Sequence, residues 1–154
     1  MKQVKKSVLL SYSAHEIYAL VVDVESYPAF LPWCERAEIV GRHDDGVTAR
    51  LQLAYAGVRQ AFTTRNVQIE DTSVHVGLVD GPFSLLDGLW RFLPLSLPSE
   101  SPGQGGGACK IEFEMRYAFA SGVLEAAISP VFDRIANTLV DSFVRRAETV
   151  HGRR

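Results

Sequence analysis

The chain carries only two cysteines, Cys34 and Cys109, among 154 residues. So few, behind no export signal, give no disulfide framework, and two buried free thiols are expected. The histidines His15, His43, His75 and His151 stand apart, and none has a second His or Cys at ligand spacing. No metal centre and no cofactor are expected. Long apolar runs are missing as well: nothing approaches the ~20 residues that span a bilayer. The start, "MKQVKKSVLL", has lysines ahead of a few apolar residues but no signal-peptide core or cleavage site. That pattern predicts a cytoplasmic chain, at most peripheral to the inner membrane. Nor does charge of one sign dominate. Sixteen Lys and Arg face eighteen Asp and Glu, for a net charge of -2, which argues against DNA as a partner. Arg145, Arg146, Arg153 and Arg154 cluster at the end, where they suit a helix C-terminus.

Catalytic signatures are equally scarce. "GQGGG" leads into a strand pattern and is followed by no GK[ST], so it is no phosphate loop. No serine sits in a G-x-S-x-G elbow. Cys34 has Glu35 beside it, and a carboxylate raises a thiol's pKa. Asp44 and Asp45 belong to a turn, Asp80 and Asp87 flank "GPFSLL", and Glu112 and Glu114 fall on the wetted side of a strand. No base, nucleophile and oxyanion donor converge, and a chain that is not an enzyme is expected.

What the chain does have is 47% hydrophobic residues in alternating and helical patterns, enough for one domain over 1–154. Residues 3–11 read as a strand. Ser13 and Glu16 have capping-box spacing, with Tyr12 and Ile17 as the flanking staple. Ile17, Leu20, Val21 and Val24 then predict a helix from Ala14 to Val24. After "SYPAFLPW", where two prolines allow only a short helical turn or a structured loop, the period falls to two. "RAEIVGRH" and "VTARLQLAYAG" flank the turn signal "DDG". "VRQAFTTRNVQIE", "SVHVGLVDG" and "LLDGLWRFLPL" are further strands, and "SLPSESPGQGGG" reads as a loop. "ACKIEFEMRYAF" alternates most cleanly, with Cys109, Ile111, Phe113, Met115, Tyr117 and Phe119 on one side. At the end, Ser129 and Pro130 look like a helix start. Phe132, Ile135, Leu139 and Phe143 form an apolar stripe along that helix, with some helix preceding it from about Gly122.

Consecutive strands exclude a doubly wound parallel sheet. The expected fold is α+β: a curved antiparallel sheet of six to seven strands gripping a long C-terminal helix, with two short helices after the first strand. Such a sheet leaves room for an apolar cavity beneath the helix. No buried polar group is singled out for it.

"YALVVDVESYPAFLPWCERAEI", "GPFSLLDGLWRF" and "SPVFDRIANTLVDSFVRRAETVHG" together resemble the coenzyme Q-binding START-like family. That family includes ribosome association toxins and proteins labelled oligoketide cyclases. The Y-P-x-F-L-P-W-C segment is the most specific mark. The long "PSESPGQGGG" departs from the tighter turn expected there. The resemblance implies a helix-grip fold and a hydrophobic guest such as ubiquinone or a polyprenyl lipid, in support of respiration, with transient contact to a membrane surface. It implies as an alternative a regulator that binds the large ribosomal subunit and inhibits translation initiation. A polyketide cyclase-like enzyme ranks third, since no acid–base pair is found. On alternation and resemblance together, Tyr27, Phe30 and Trp33 are expected to grip the guest at the cavity entrance. Tyr55, Phe83, Trp90, Phe113, Met115 and Tyr117 would do so from the sheet, and Phe132, Ile135 and Leu139 from the helix.

Overall fold

The computed structural model describes residues 1–95 and 107–153. Its strands are β1 (Lys2–Leu10), β2 (Cys34–His43), β3 (Gly46–Tyr55), β4 (Val58–Ile69), β5 (Ser73–Asp80), β6 (Phe83–Leu95) and β7 (Ala108–Phe119). They form one seven-stranded sheet in the order β1-β7-β6-β5-β4-β3-β2. Every pairing is antiparallel. The meander from β2 to β7 needs only neighbour-to-neighbour turns. β1 instead lies against β7, so the helices that follow it in sequence must cross the concave face. Of the stretch read as a loop, 96–106 lies outside the described residues.

The first turn is set by its residue types. Asp44 and Asp45 span β2 to β3, and Gly46 (φ 156) lies so close to the Asn66 carbonyl that an added Cβ would come within 1.8 Å of it. No other residue type fits there. Ala56 and Gly57 turn β3 into β4 with both φ values positive, as a tight hairpin of the observed twist requires.

Helix α1 (Ala14–Val22) begins with the expected capping box: the Glu16 amide donates to Ser13 Oγ and the Ser13 amide to Glu16 Oε1, each at 3.0 Å. It stops two residues earlier than the apolar spacing predicts. Asp23 leaves helical geometry (ψ 65) and a 3-10 helix, Val24–Ala29, follows. Pro28 cannot donate a backbone bond, so the chain tightens before it.

Helix α2 (Gly122–His151) starts at Gly122, where the preceding helical turn is expected, and continues past Pro130 as one element rather than starting at Ser129. Ser121 is the cap, accepting from the Leu124 amide at 3.2 Å, and Pro130 sits inside the helix. The missing proline donor is outweighed by packing on both sides of it, where Ile128 and Phe132 are both buried. Ser129, expected as a cap, is itself buried. Its hydroxyl donates to Asp133 Oδ2 at 3.2 Å. Asp133 also accepts from Lys2 Nζ and from the Tyr117 hydroxyl, both at 2.5 Å, which fastens α2 to β1 and β7. Burial pushes the Asp133 carboxyl up, but bonds from Lys2, Tyr117 and Ser129 bring it below its ordinary value.

The core divides into two apolar clusters. One joins β2, β3 and β4 to the first half of α2 through Trp33, Leu53, Phe62, Phe83 and Phe132. The other joins α1, β6 and β7 to the second half of α2 through Ile17, Trp90, Phe92, Phe113 and Phe143. Tyr27, Phe30, Met115 and Leu139 pack against both.

Candidate functional site

At the seam between the clusters lies a cavity of about 80 Å³, partly open to solvent. That is well above the roughly 10–15 Å³ needed to admit one water, and gives room for a ring-sized group. The 3-10 helix and the segment after it contribute Val24, Tyr27, Leu31 and Trp33. Strands β3 and β4 add Ala49, Leu51, Phe62, Thr64 and Asn66. Val76, Leu86, Gly88, Trp90, Phe113 and Met115 come from β5, β6 and β7, and α2 closes the space with Phe132, Ile135, Leu139 and Phe143. No Asp, Glu, Lys, Arg or His is among these residues.

Each wall follows from local sequence. The prolines fold "YPAFLPW" back on itself. The Phe30 and Leu31 amides donate to the Tyr27 carbonyl at 3.1 and 2.9 Å, and the Cys34 amide to the Leu31 carbonyl at 3.0 Å. The Ala54 amide then donates to the Trp33 carbonyl at 2.9 Å and ties the segment to β3. The Tyr27 hydroxyl donates to the Val21 carbonyl, so its one polar atom is satisfied and its ring is free to face the cavity. Burial holds its ionisation far above the ordinary tyrosine range. On the opposite wall, Gly88 lies between Leu86 and Trp90 on the inward side of β6. An added Cβ there would make ordinary contacts, at 3.7 Å from Val76 and from the Glu114 carbonyl. Gly88 is therefore not required by the backbone; its missing side chain is part of the empty space.

Eight of the expected contact residues reach this wall: Tyr27, Trp33, Trp90, Phe113, Met115, Phe132, Ile135 and Leu139. Phe30, Tyr55, Phe83 and Tyr117 do not. Phe30 turns to Phe143, with centroids 5.1 Å apart, and the Arg146 guanidinium lies over its ring at 5.0 Å. Tyr55 closes the end of β3 beside the turn, half-buried against the first cluster. Phe83 is spent in a ring cluster, stacked on Phe119 at 5.3 Å and edge-on to Phe62 and Phe132 at 5.8 and 4.9 Å. Tyr117 is the anchor of Asp133. Sequence reading passed over Phe62, Thr64 and Asn66, although "FTTRN" alternates and puts all three on one face of β4. The two hydroxyl and amide side chains concealed that face, because they break an apolar pattern.

Both cysteines are buried and free. Burial pushes each thiol up to about 11, so both stay protonated at neutral pH. Glu35 is not the cause at Cys34, since it pairs with Arg59. His15 pairs with Asp71 and His75 with Asp87, both at 2.6 Å on the outside, and no metal-binding group of three appears among the described residues.

A family model for polyketide cyclase/dehydrase and lipid transport matches residues 10–144. The chain belongs to this family. Its relatives include the ribosome association toxin RatA of Pseudomonas aeruginosa, 36% identical over 97% of each chain. RatA of Escherichia coli is 38% identical over all of this chain and 92% of its own. The mitochondrial coenzyme Q-binding protein COQ10 homolog B of Xenopus laevis is 27% identical over 96% of this chain and 59% of its own. Among solved structures, an 18 kDa protein from Caulobacter crescentus superposes with TM-score 0.72 at 32% identity, covering 99% of both chains. The Zhui aromatase/cyclase of Streptomyces superposes with TM-score 0.78 at 15% identity, covering 96% of this chain and 93% of its own. That likeness is one of fold. The curated relatives are thus named for ribosome association or coenzyme Q binding. Among the described residues no helix is long and apolar enough to cross a membrane.

Proposed function

We propose that this protein holds a hydrophobic small molecule, ubiquinone or a similar polyprenyl lipid, between sheet and C-terminal helix. It acts as a carrier that supports respiration rather than as an enzyme. The observation that carries this reading is the wall itself: mostly aromatic and aliphatic side chains, with no carboxylate, imidazole, amine or guanidinium to move a proton and the one phenol, Tyr27, bonded to the Val21 carbonyl. Affinity then comes from apolar area, at about 0.8 kcal/mol for each methylene removed from water. The space takes the ring or the first prenyl unit, and the rest of a tail leaves through the open side, where contact with a membrane surface would load it. Organic extraction of protein purified from its native host should release a prenyl quinone or related lipid in near-stoichiometric amount, read by mass spectrometry. Protein that yields no lipid, and that takes none up from quinone-containing vesicles, rules the carrier out.

A second reading is favoured by the 36% and 38% identity to the two RatA proteins over nearly full length: association with the large ribosomal subunit and interference with translation initiation. Overexpression should then shift ribosomes from joined to separate subunits on a sucrose gradient. Arg145 is exposed on α2, whereas Arg146 is engaged with Phe30, so Arg145 is the residue to reverse. Arg145→Glu should restore much of the joined peak, because contacts to RNA phosphates are electrostatic and salt-sensitive. A gradient that overexpression leaves unchanged removes this reading.

A further inference from the structure

The apolar wall has one polar corner. Thr64 and Asn66 face inward from β4 and are 3% and 7% exposed. The Thr64 hydroxyl donates to Asn66 Oδ1 at 2.8 Å. That bond occupies the amide oxygen and fixes the side chain. The amide nitrogen carries two hydrogens and has no protein acceptor among the described residues. Asn66 lines the cavity and this nitrogen is not sealed off by protein, so a ligand's acceptor entering the cavity is what would satisfy it.

The sheet register says what lies within reach. Asn66 is opposite Val76, Val76 opposite Gly88, and Gly88 opposite Met115, so the four form one row across β4, β5, β6 and β7. All four line the cavity. With neighbouring strands ~4.8 Å apart, the notch at Gly88 is roughly 10 Å from Asn66. A flat ring lying along this row would rest against the notch with its other edge toward the amide.

We propose that Asn66, held by Thr64, donates a hydrogen bond to a carbonyl oxygen of a neutral ligand. This makes the cavity selective for carbonyl-bearing rings over plain hydrocarbons. Anionic lipid head groups are excluded from this depth, since no cation lines the wall to compensate their charge. The inference rests on the cavity being a hydrophobic-ligand site, and adds which polar atom chooses the ligand.

The test compares two probes of equal tail: a benzoquinone with a single prenyl chain, and the corresponding prenylbenzene without oxygen. Affinities are measured by tryptophan quenching, because Trp33 and Trp90 both line the site. The wild type should prefer the quinone. Asn66→Leu should weaken the quinone roughly ten- to a hundredfold and leave the hydrocarbon unchanged or tighter. Equal quinone affinity in the wild type and Asn66→Leu overturns the proposal, as does equal weakening of both probes. If Asn66→Leu does not fold, Thr64→Val decides. Severalfold loss for the quinone alone supports the proposal, and no change overturns it. Wild type that binds neither probe sinks both this inference and the carrier reading; wild type that binds both equally sinks only this one.

Discussion

Replacing Phe143 with alanine should lower the free energy of unfolding by about 3–5 kcal/mol. The ring is 3% exposed and stands where the two halves of the core meet. Its centroid is 5.5 Å from Tyr27, 5.1 Å from Phe30 and 5.2 Å from Trp90. Removing it deletes apolar contact on three sides at once. None of those rings can close the gap, because each is held from elsewhere. Tyr27 is bonded to the Val21 carbonyl, Phe30 lies under Arg146, and Trp90 is fixed in β6 with its ring 4.5 Å from that of Phe113. The cavity should therefore grow rather than collapse. Urea denaturation would measure the change, with the slope unchanged if the unfolded state is unaffected. A loss below about 1 kcal/mol would mean that α2 is held by other contacts, the Asp133 anchor foremost among them.

Gly88→Leu should have the largest effect on binding, with little effect on the fold. The backbone at Gly88 is ordinary strand, and its Cβ position is free of clash. The leucine branch would project into space now bounded by Val76, Met115 and Asn66, and would take up much of the ~80 Å³. Affinity for a hydrophobic probe should fall at least tenfold, which corresponds to about 1.4 kcal/mol. Stability should move little. Loss of glycine's freedom in the unfolded chain and added apolar burial offset an overpacking cost of about 1–3 kcal/mol. A melting curve and a titration on the same preparation separate the two effects. Unchanged affinity in a folded Gly88→Leu protein would place the ligand elsewhere.

These two residues illustrate how unevenly the site can be read from the chain. Phe143 was plain at helical spacing, as part of the stripe with Phe132, Ile135 and Leu139. Gly88 looked like any glycine in "LLDGLW". Its meaning depends on Val76 and Met115, twelve and twenty-seven positions away in the chain and adjacent only through the sheet register. Asn66 presents the same difficulty. Alternation assigns it to the inward face of β4, but only the cavity gives that face a use.

The opening aromatic segment shows the opposite limit. Its two prolines predict only a short helical turn or a structured loop, and a 3-10 helix over Val24–Ala29 is found there. Which ring would face the empty space was not legible. Tyr27 and Trp33 do so, while Phe30 is taken up by Phe143 and Arg146. Pattern fixes the side of an element on which a residue lies. It does not fix the competition among neighbours for that side, which also drew Phe83 and Tyr117 away from the cavity.

By itself, the sequence determined the antiparallel sheet, the capped first helix, the long closing helix and the two buried thiols. Each follows from local rules: period two or 3.6, a capping box, residues that suit tight turns. Tertiary structure alone decided that the core splits into two clusters, that a ring-sized gap survives between them, and that Gly88 and Asn66 share a row across it. Empty space has no local code. It arises where small side chains on separate strands come together beneath a helix whose own rings are already committed.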